Sequence, residues 1–194
     1  MAPKSAPDRC GAVAVSIHWV SVVLILILIG PGFRAAGAVD PAAKAAILRL
    51  HVPIAIAVLA LTVFRIVWWL GFDRKPGPVP GSPRWQERSA RVVHILFYIV
   101  ILGMIASGAG MMALSGAAPL IFGGGAPSLP DFWKYPPRLP HAIGARLLLA
   151  LLSLHVGAAL YHHFVRRDGL VWRMWFARPA SSSQSILMEK AKRP

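Results

Sequence analysis

The stretch HAIGARLLLALLSLHVGAALYHHFV, residues 141–165, sets two histidines, His141 and His155, 14 positions apart in a nearly uncharged apolar run. At about 100° per residue, that spacing returns to almost the same face of a helix, and it covers about 21 Å of rise. A helix over this run therefore carries the two imidazoles one above the other on a single stripe. From Ile143 to Val165 the run is also long enough to cross a hydrocarbon core of about 30 Å, which takes about 20 residues. An ionisable side chain inside such a span is costly and marks a functional position by default.

Three more runs meet the same length requirement: Val13 to Gly32, Leu50 to Leu70 and Val92 to Met112. None alternates as a barrel strand does, and lipid otherwise tolerates only helices, which satisfy their own backbone groups. The expected fold class is all-α: an integral membrane four-helix bundle. Asp40-Pro41 reads as a helix N-cap and first-turn proline, and Ser82-Pro83 gives the same start signal for the third helix. Pro53 falls inside the second helix and is expected to bend it. The first span follows Lys4 and Arg9 as a secretory signal would, but its apolar run exceeds the 7 to 15 residues or so of a signal core.

Charge sets the expected orientation. Of 21 Lys and Arg residues, 14 lie in the N-terminal arm, the segment 72–91 and the chain from Arg166 onward. Cations are retained on the cytoplasmic side, so both termini are expected in the cytoplasm and the protein in the bacterial inner membrane. The expected organisation is a cytoplasmic arm over 1–12, a four-helix domain over 13–178 with an irregular periplasmic loop at 115–140, and a disordered cytoplasmic tail over 179–194. A net charge of +14 also raises nucleic acid as a partner. That class is excluded because the cations flank apolar spans and no binding motif accompanies them. The Gly123-Gly124-Gly125 run lacks the Gly-Lys-Ser/Thr of a phosphate loop. A single cysteine, Cys10, excludes an internal disulfide and a cysteine-held iron–sulfur cluster, and C-x-x-C-H haem attachment is absent.

All seven histidines lie in or beside spans, whereas the seven carboxylates stay outside. A proton pump or cation channel places acids within the bundle, so this pattern favours ligation. On the expected topology His51 enters the second helix at the depth of His141, and His18 matches His155. The pairs His51/His141 and His18/His155 are thus candidate axial ligands for two haems, one near each membrane face. Bis-histidine ligation leaves no open iron position, which suits electron relay and not oxygen activation. His94 lies close in depth to His18 and is its competitor, or else a haem-edge or quinone contact. His162 and His163 are candidate quinone contacts, against the alternative of an interfacial belt with Trp172 and Trp175. Arg65 and Arg146, inside spans, are candidate propionate partners. Trp19, Phe97 and Tyr98 are candidates to pack on porphyrin.

Ser16-Ile17-His18-Trp19, His51, His94 with Phe97-Tyr98, and His141, His155 and Tyr161-His162-His163 together make the chain resemble the bacterial cytochrome b-561 family, whose relatives include the cytochrome b subunits of nickel hydrogenases. The resemblance covers about Gly11 to Arg178. It implies two non-covalent haems b, ligated at His18, His51, His141 and His155. It further implies an oxidoreductase that exchanges electrons with ubiquinone, with superoxide as a candidate periplasmic donor. The alternative is an electron-carrying membrane anchor for a hydrogenase- or dehydrogenase-type redox partner. Arg34, Lys44, Arg49, Lys134 and Arg138 outnumber Asp40 and Asp131 on the outer side, a balance able to steer a small anion. A haem or metal transporter is disfavoured, because depth-matched ligand pairs describe permanent sites.

Overall fold

A computed structural model describes residues 2–78, 81–123 and 128–176. Among the described residues five α-helices form: α1 (Ala12–Gly37), α2 (Pro41–Val67), α3 (Arg84–Ser115), α4 (Ala117–Phe122) and α5 (Arg138–Tyr161). A π-helical turn extends α2 over Trp68–Phe72 and another extends α5 over His162–Arg166. With these turns, four helices of 26 to 32 residues are long and apolar enough to cross a membrane, and α4 is not one of them.

The starts follow local chemistry. Asp40 caps α2, its carboxylate accepting from the Ala42 and Ala43 amides at 3.0 and 3.1 Å, with Pro41 in the first turn. Pro83 itself is the N-cap of α3, one residue later than expected, and no side chain caps that end. α1 continues through Pro31 to Gly37, five residues beyond its apolar run, and α2 runs unbroken through Pro53. Within 115–140, expected to be irregular, α3 stops at Gly116 in the left-handed conformation (φ 62°) that glycine tolerates best. The chain restarts at once as α4, whose Ala117 and Ile121 are fully buried. A 3-10 turn follows at Phe132–Lys134, and α5 has begun by Arg138. Part of the Gly123-Gly124-Gly125 run and the tail 179–194 lie outside the described residues.

α1 packs along α2, and α3 along α5, whereas contact between these two pairs is thin and made mainly by α2 with α3. Within an apolar 18-residue stretch of each span, only 6–17% of the residues are buried. The bundle is thus two helical hairpin-like pairs with a partly open seam between them, and His18, His51, His141 and His155 meet across that seam.

One end of the bundle is knotted by segments far apart in sequence. Ser5 donates to Asp73 from its amide and its hydroxyl, at 3.0 and 2.8 Å, and Trp68 Nε1 donates to the same carboxylate at 3.1 Å. The Gly77 amide donates to Pro7 O, Arg173 donates to Gly77 O, the Cys10 amide donates to Arg173 O, and Trp19 Nε1 donates to Met174 O. Gly11 has no alternative here, since a Cβ would run into the backbone of Pro3 and Lys4. The arm, the α2–α3 connection and the segment after α5 therefore share one end, as four crossings require.

Candidate haem sites

His18 on α1 and His155 on α5 face each other with ring centres 6.3 Å apart. His51 on α2 and His141 on α5 do the same at 6.4 Å. Each pair crosses the seam, and α5 contributes to both, as the 14-residue spacing demands. An imidazole nitrogen lies about 2.0 Å from a first-row metal and its ring centre about 1.1 Å further, so two such ligands on opposite sides of one ion stand about 6.2 Å apart. Both separations fit that requirement. Among the described residues no three His, Cys, Asp or Glu side chains converge as a protein-only metal centre needs, and the four rings stand as two facing pairs, the arrangement expected of candidate axial ligands.

Local groups prepare the rings. At His141, Nδ1 lies 3.0 Å from Met104 O, and a carbonyl can only accept, so Nδ1 carries the proton and Nε2 keeps its lone pair. A ligating histidine is commonly held in this way through its other nitrogen. His51 Nδ1 is buried without a hydrogen-bond partner. Its ring rests against Gly32 of α1, where a Cβ would come within 3.2 Å of Cε1, so a larger residue would displace it.

His94 reaches the same neighbourhood from α3, its ring centre 5.6 Å from that of His155. Its Nδ1 donates to Ala90 O at 2.7 Å. The separation is about 0.6 Å short of what a metal between the two rings needs. Phe97, one turn on, packs edge-on against His155, also at 5.6 Å. Trp19 touches His18 edge-on but turns its indole to Met174 and Trp175, so its main partner is the seam at the bundle end.

Arg65 stands 14 residues after His51, one further two-level spacing on α2, and its charge acts on His18, His94 and His155. Its Nε is buried with no partner. An orphaned buried guanidinium donor beside a histidine pair fits an anionic group such as a propionate. Arg65 also bears on Cys10, where burial pushes the thiol up against the pull of that charge. Arg146 donates instead to Ala142 O of its own helix, at 2.9 Å.

His162 and His163 part company. His162 Nδ1 bonds Asp168 at 2.5 Å. Burial alone would raise that carboxyl, but the bonds from His162 and Leu170 and the charges of His162 and Arg166 hold it below the usual carboxylate range. His163 packs on Phe164 and Trp172 and lines an open cavity of 220 Å³ with Arg167, Gly169 and Leu170. On the opposite end Arg49 donates to Ile121 O and fastens α4 to α2, while Arg138 stacks over Trp133 at 4.4 Å. The first contact joins residues 72 positions apart, which no local pattern relates.

The family model for prokaryotic cytochrome b561 matches residues 9–177. Cytochrome b561 homolog 1 of Escherichia coli (strain K12) is 31% identical over 119 residues, covering 56% of this chain and 68% of the relative. Homolog 2 of the same strain is 24% identical over 189 residues, 90% of this chain and 95% of the relative. A protein of Yersinia pestis described as a probable superoxide oxidase, CybB, is 26% identical over 167 residues, 82% and 92% of the two chains. With four apolar spans and paired histidines across its seam, this chain belongs to the prokaryotic cytochrome b561 family of haem b-binding membrane electron carriers.

Proposed function

We propose that the chain is a di-haem cytochrome b of the bacterial inner membrane, with both termini cytoplasmic, passing electrons from a periplasmic-side donor to ubiquinone. The observation that supports it most is the repetition of one ligand geometry, 6.3 and 6.4 Å, at two heights on α5. His18 with His155, and His51 with His141, are the axial pairs. Haem b, when bound, supplies reversible one-electron chemistry at both levels. The protein supplies neutral imidazoles, a low-dielectric seam, and positive charge from Arg65, whose buried Nε is unpartnered, to balance a propionate. His94 and Phe97 border the His18/His155 site as haem-edge contacts.

Superoxide is the proposed donor. Two superoxide anions give two dioxygen molecules, and the two electrons with two protons convert ubiquinone to ubiquinol. The likeness to the Yersinia pestis protein supports this choice. The cations on the outer side would raise the local concentration of a small anion. At the other end the Asp168 carboxylate accepts from His162 Nδ1, which leaves Nε2 as the acceptor nitrogen, and the cavity lined by His163 is the proposed quinone region. The alternative is a relay and anchor for a dehydrogenase-type partner, which copurification of a stable complex would favour. Rapid mixing of the purified protein with superoxide tests the main proposal. The expected result is haem reduction that slows as salt is raised and that leads to ubiquinol; no reduction under any salt condition rejects superoxide as donor.

A further inference from the structure

α3 gives no ligand to the His51/His141 pair, yet three of its residues converge on His141. Met104, Ser107 and Gly108 are spaced three and four apart and so lie on one face. Met104 O accepts from His141 Nδ1. Ser107, buried at 8% exposure, lies with its Oγ 3.2 Å from the same nitrogen. That hydroxyl donates its only proton to Met104 O at 2.9 Å, so towards His141 it can only accept. Nδ1–H is therefore shared between two acceptors that are themselves bonded to each other. At Gly108 an added Cβ would stand 3.4 Å from Cε1 of the ring, in van der Waals contact, so the α3 backbone passes close beside the imidazole. No such pair of acceptors serves His51, whose Nδ1 is buried without a partner.

We propose that Ser107 is a positioning residue for His141: its hydroxyl, with the Met104 carbonyl, fixes the tautomer and the rotation of that imidazole. This rests on His141 being a haem ligand. The consequence is an asymmetric site, in which one axial ring is pinned from α3 and the other follows packing. The two ring planes now stand at 61°. The angle between axial imidazole planes governs the anisotropy of a low-spin ferric haem signal, so the plane of His141 is open to direct measurement.

The test is electron paramagnetic resonance of the full-length haem-loaded protein in detergent, comparing wild type, Ser107→Ala, Ser107→Thr and, as a control, Ser153→Ala, whose hydroxyl bonds its own helix at Leu149 O. The alanine variant is expected to keep its haem content and to shift or broaden one of two low-spin signals, leaving the second in place. Threonine, which retains the hydroxyl, is expected to restore the wild-type signal, and Ser153→Ala to leave both unchanged. If Ser107→Ala does not assemble, Ser107→Cys, close in size and weak in hydrogen bonding, serves in its place. Two unchanged signals, or equal changes in both, overturn the proposal. A wild-type protein lacking two bis-imidazole signals instead overturns the ligand assignment beneath it.

Discussion

Removing either of two histidines that crowd His155 separates a ligand from a neighbour. His18 stands 6.3 Å from His155 between ring centres and His94 stands 5.6 Å away. Two imidazoles on opposite sides of one metal need about 6.2 Å, so the first pair fits and the second is short by about 0.6 Å, an error large against metal–ligand tolerances of about 0.2 Å. His94 is also tethered to its own helix through Ala90 O at 2.7 Å, and following the metal outward would stretch that bond. The expected result is that His18→Ala retains about half the haem of wild type, because the His51/His141 level is about 21 Å away along α5 and is left intact. His94→Ala is expected to retain both haems with a modest change in spectrum. The assay is a pyridine haemochrome count per chain, with reduced-minus-oxidised spectra of each variant. Loss of one haem from His94→Ala with full retention by His18→Ala would refute the distance argument, and equal retention in both would refute the pairing itself.

Arg65→Gln removes a positive charge beside the His18/His155 pair, which favours the oxidised metal, so redox titration is expected to show a lower midpoint for one haem and little change in the other. Asp73→Ala deletes the acceptor of the Ser5 and Trp68 bonds and is expected to cost about 1–3 kcal/mol in thermal or denaturant unfolding. Burial would raise the Asp73 carboxyl, but hydrogen bonds from Ser5, Arg74 and Trp68 depress it. Its contribution is therefore complete above the unfolded value of about 3.9 and is lost as pH falls through the folded one. Wild type should accordingly lose stability on acidification over that window more steeply than Asp73→Ala; parallel curves would dissociate Asp73 from it. Asp40→Ala leaves two amides at the start of α2 without their cap and is expected to lower stability by about 1 kcal/mol without loss of haem, as read by circular dichroism melting and the haemochrome count.

The spans were legible because hydropathy is a local property and lipid leaves a chain few alternatives. His141 and His155 could be placed on one stripe for the same reason, since helical periodicity is fixed before any tertiary contact forms. Depth was legible elsewhere, but rotation about a helix axis was not: His94 and His18 share a level, and only packing of α1 and α3 around α5 separates their distances to His155. α4 escaped notice because AAPLIF is too short to carry a periodic signal. It is made by burial of Ala117 and Ile121 and by the bond from Arg49, 72 positions distant. Ser107 looked like any serine in an apolar helix, since its acceptor role exists only once α5 lies alongside.

The knot at the bundle end also sets an order of events during biogenesis. Cys10 and Trp19 complete their bonds only with Arg173 and Met174, and Ser5 needs Asp73. At bacterial elongation rates of about 5–20 residues per second, the arm emerges about 10–30 s before its last partners. Until then the segment leading into α1 would lack these bonds, and the Cys10 thiol would lack the cover that Met174 gives it. A thiol reagent applied to stalled chains would thus act as a clock, marking Cys10 in nascent protein that ends before residue 170 and sparing it once the final turn has docked.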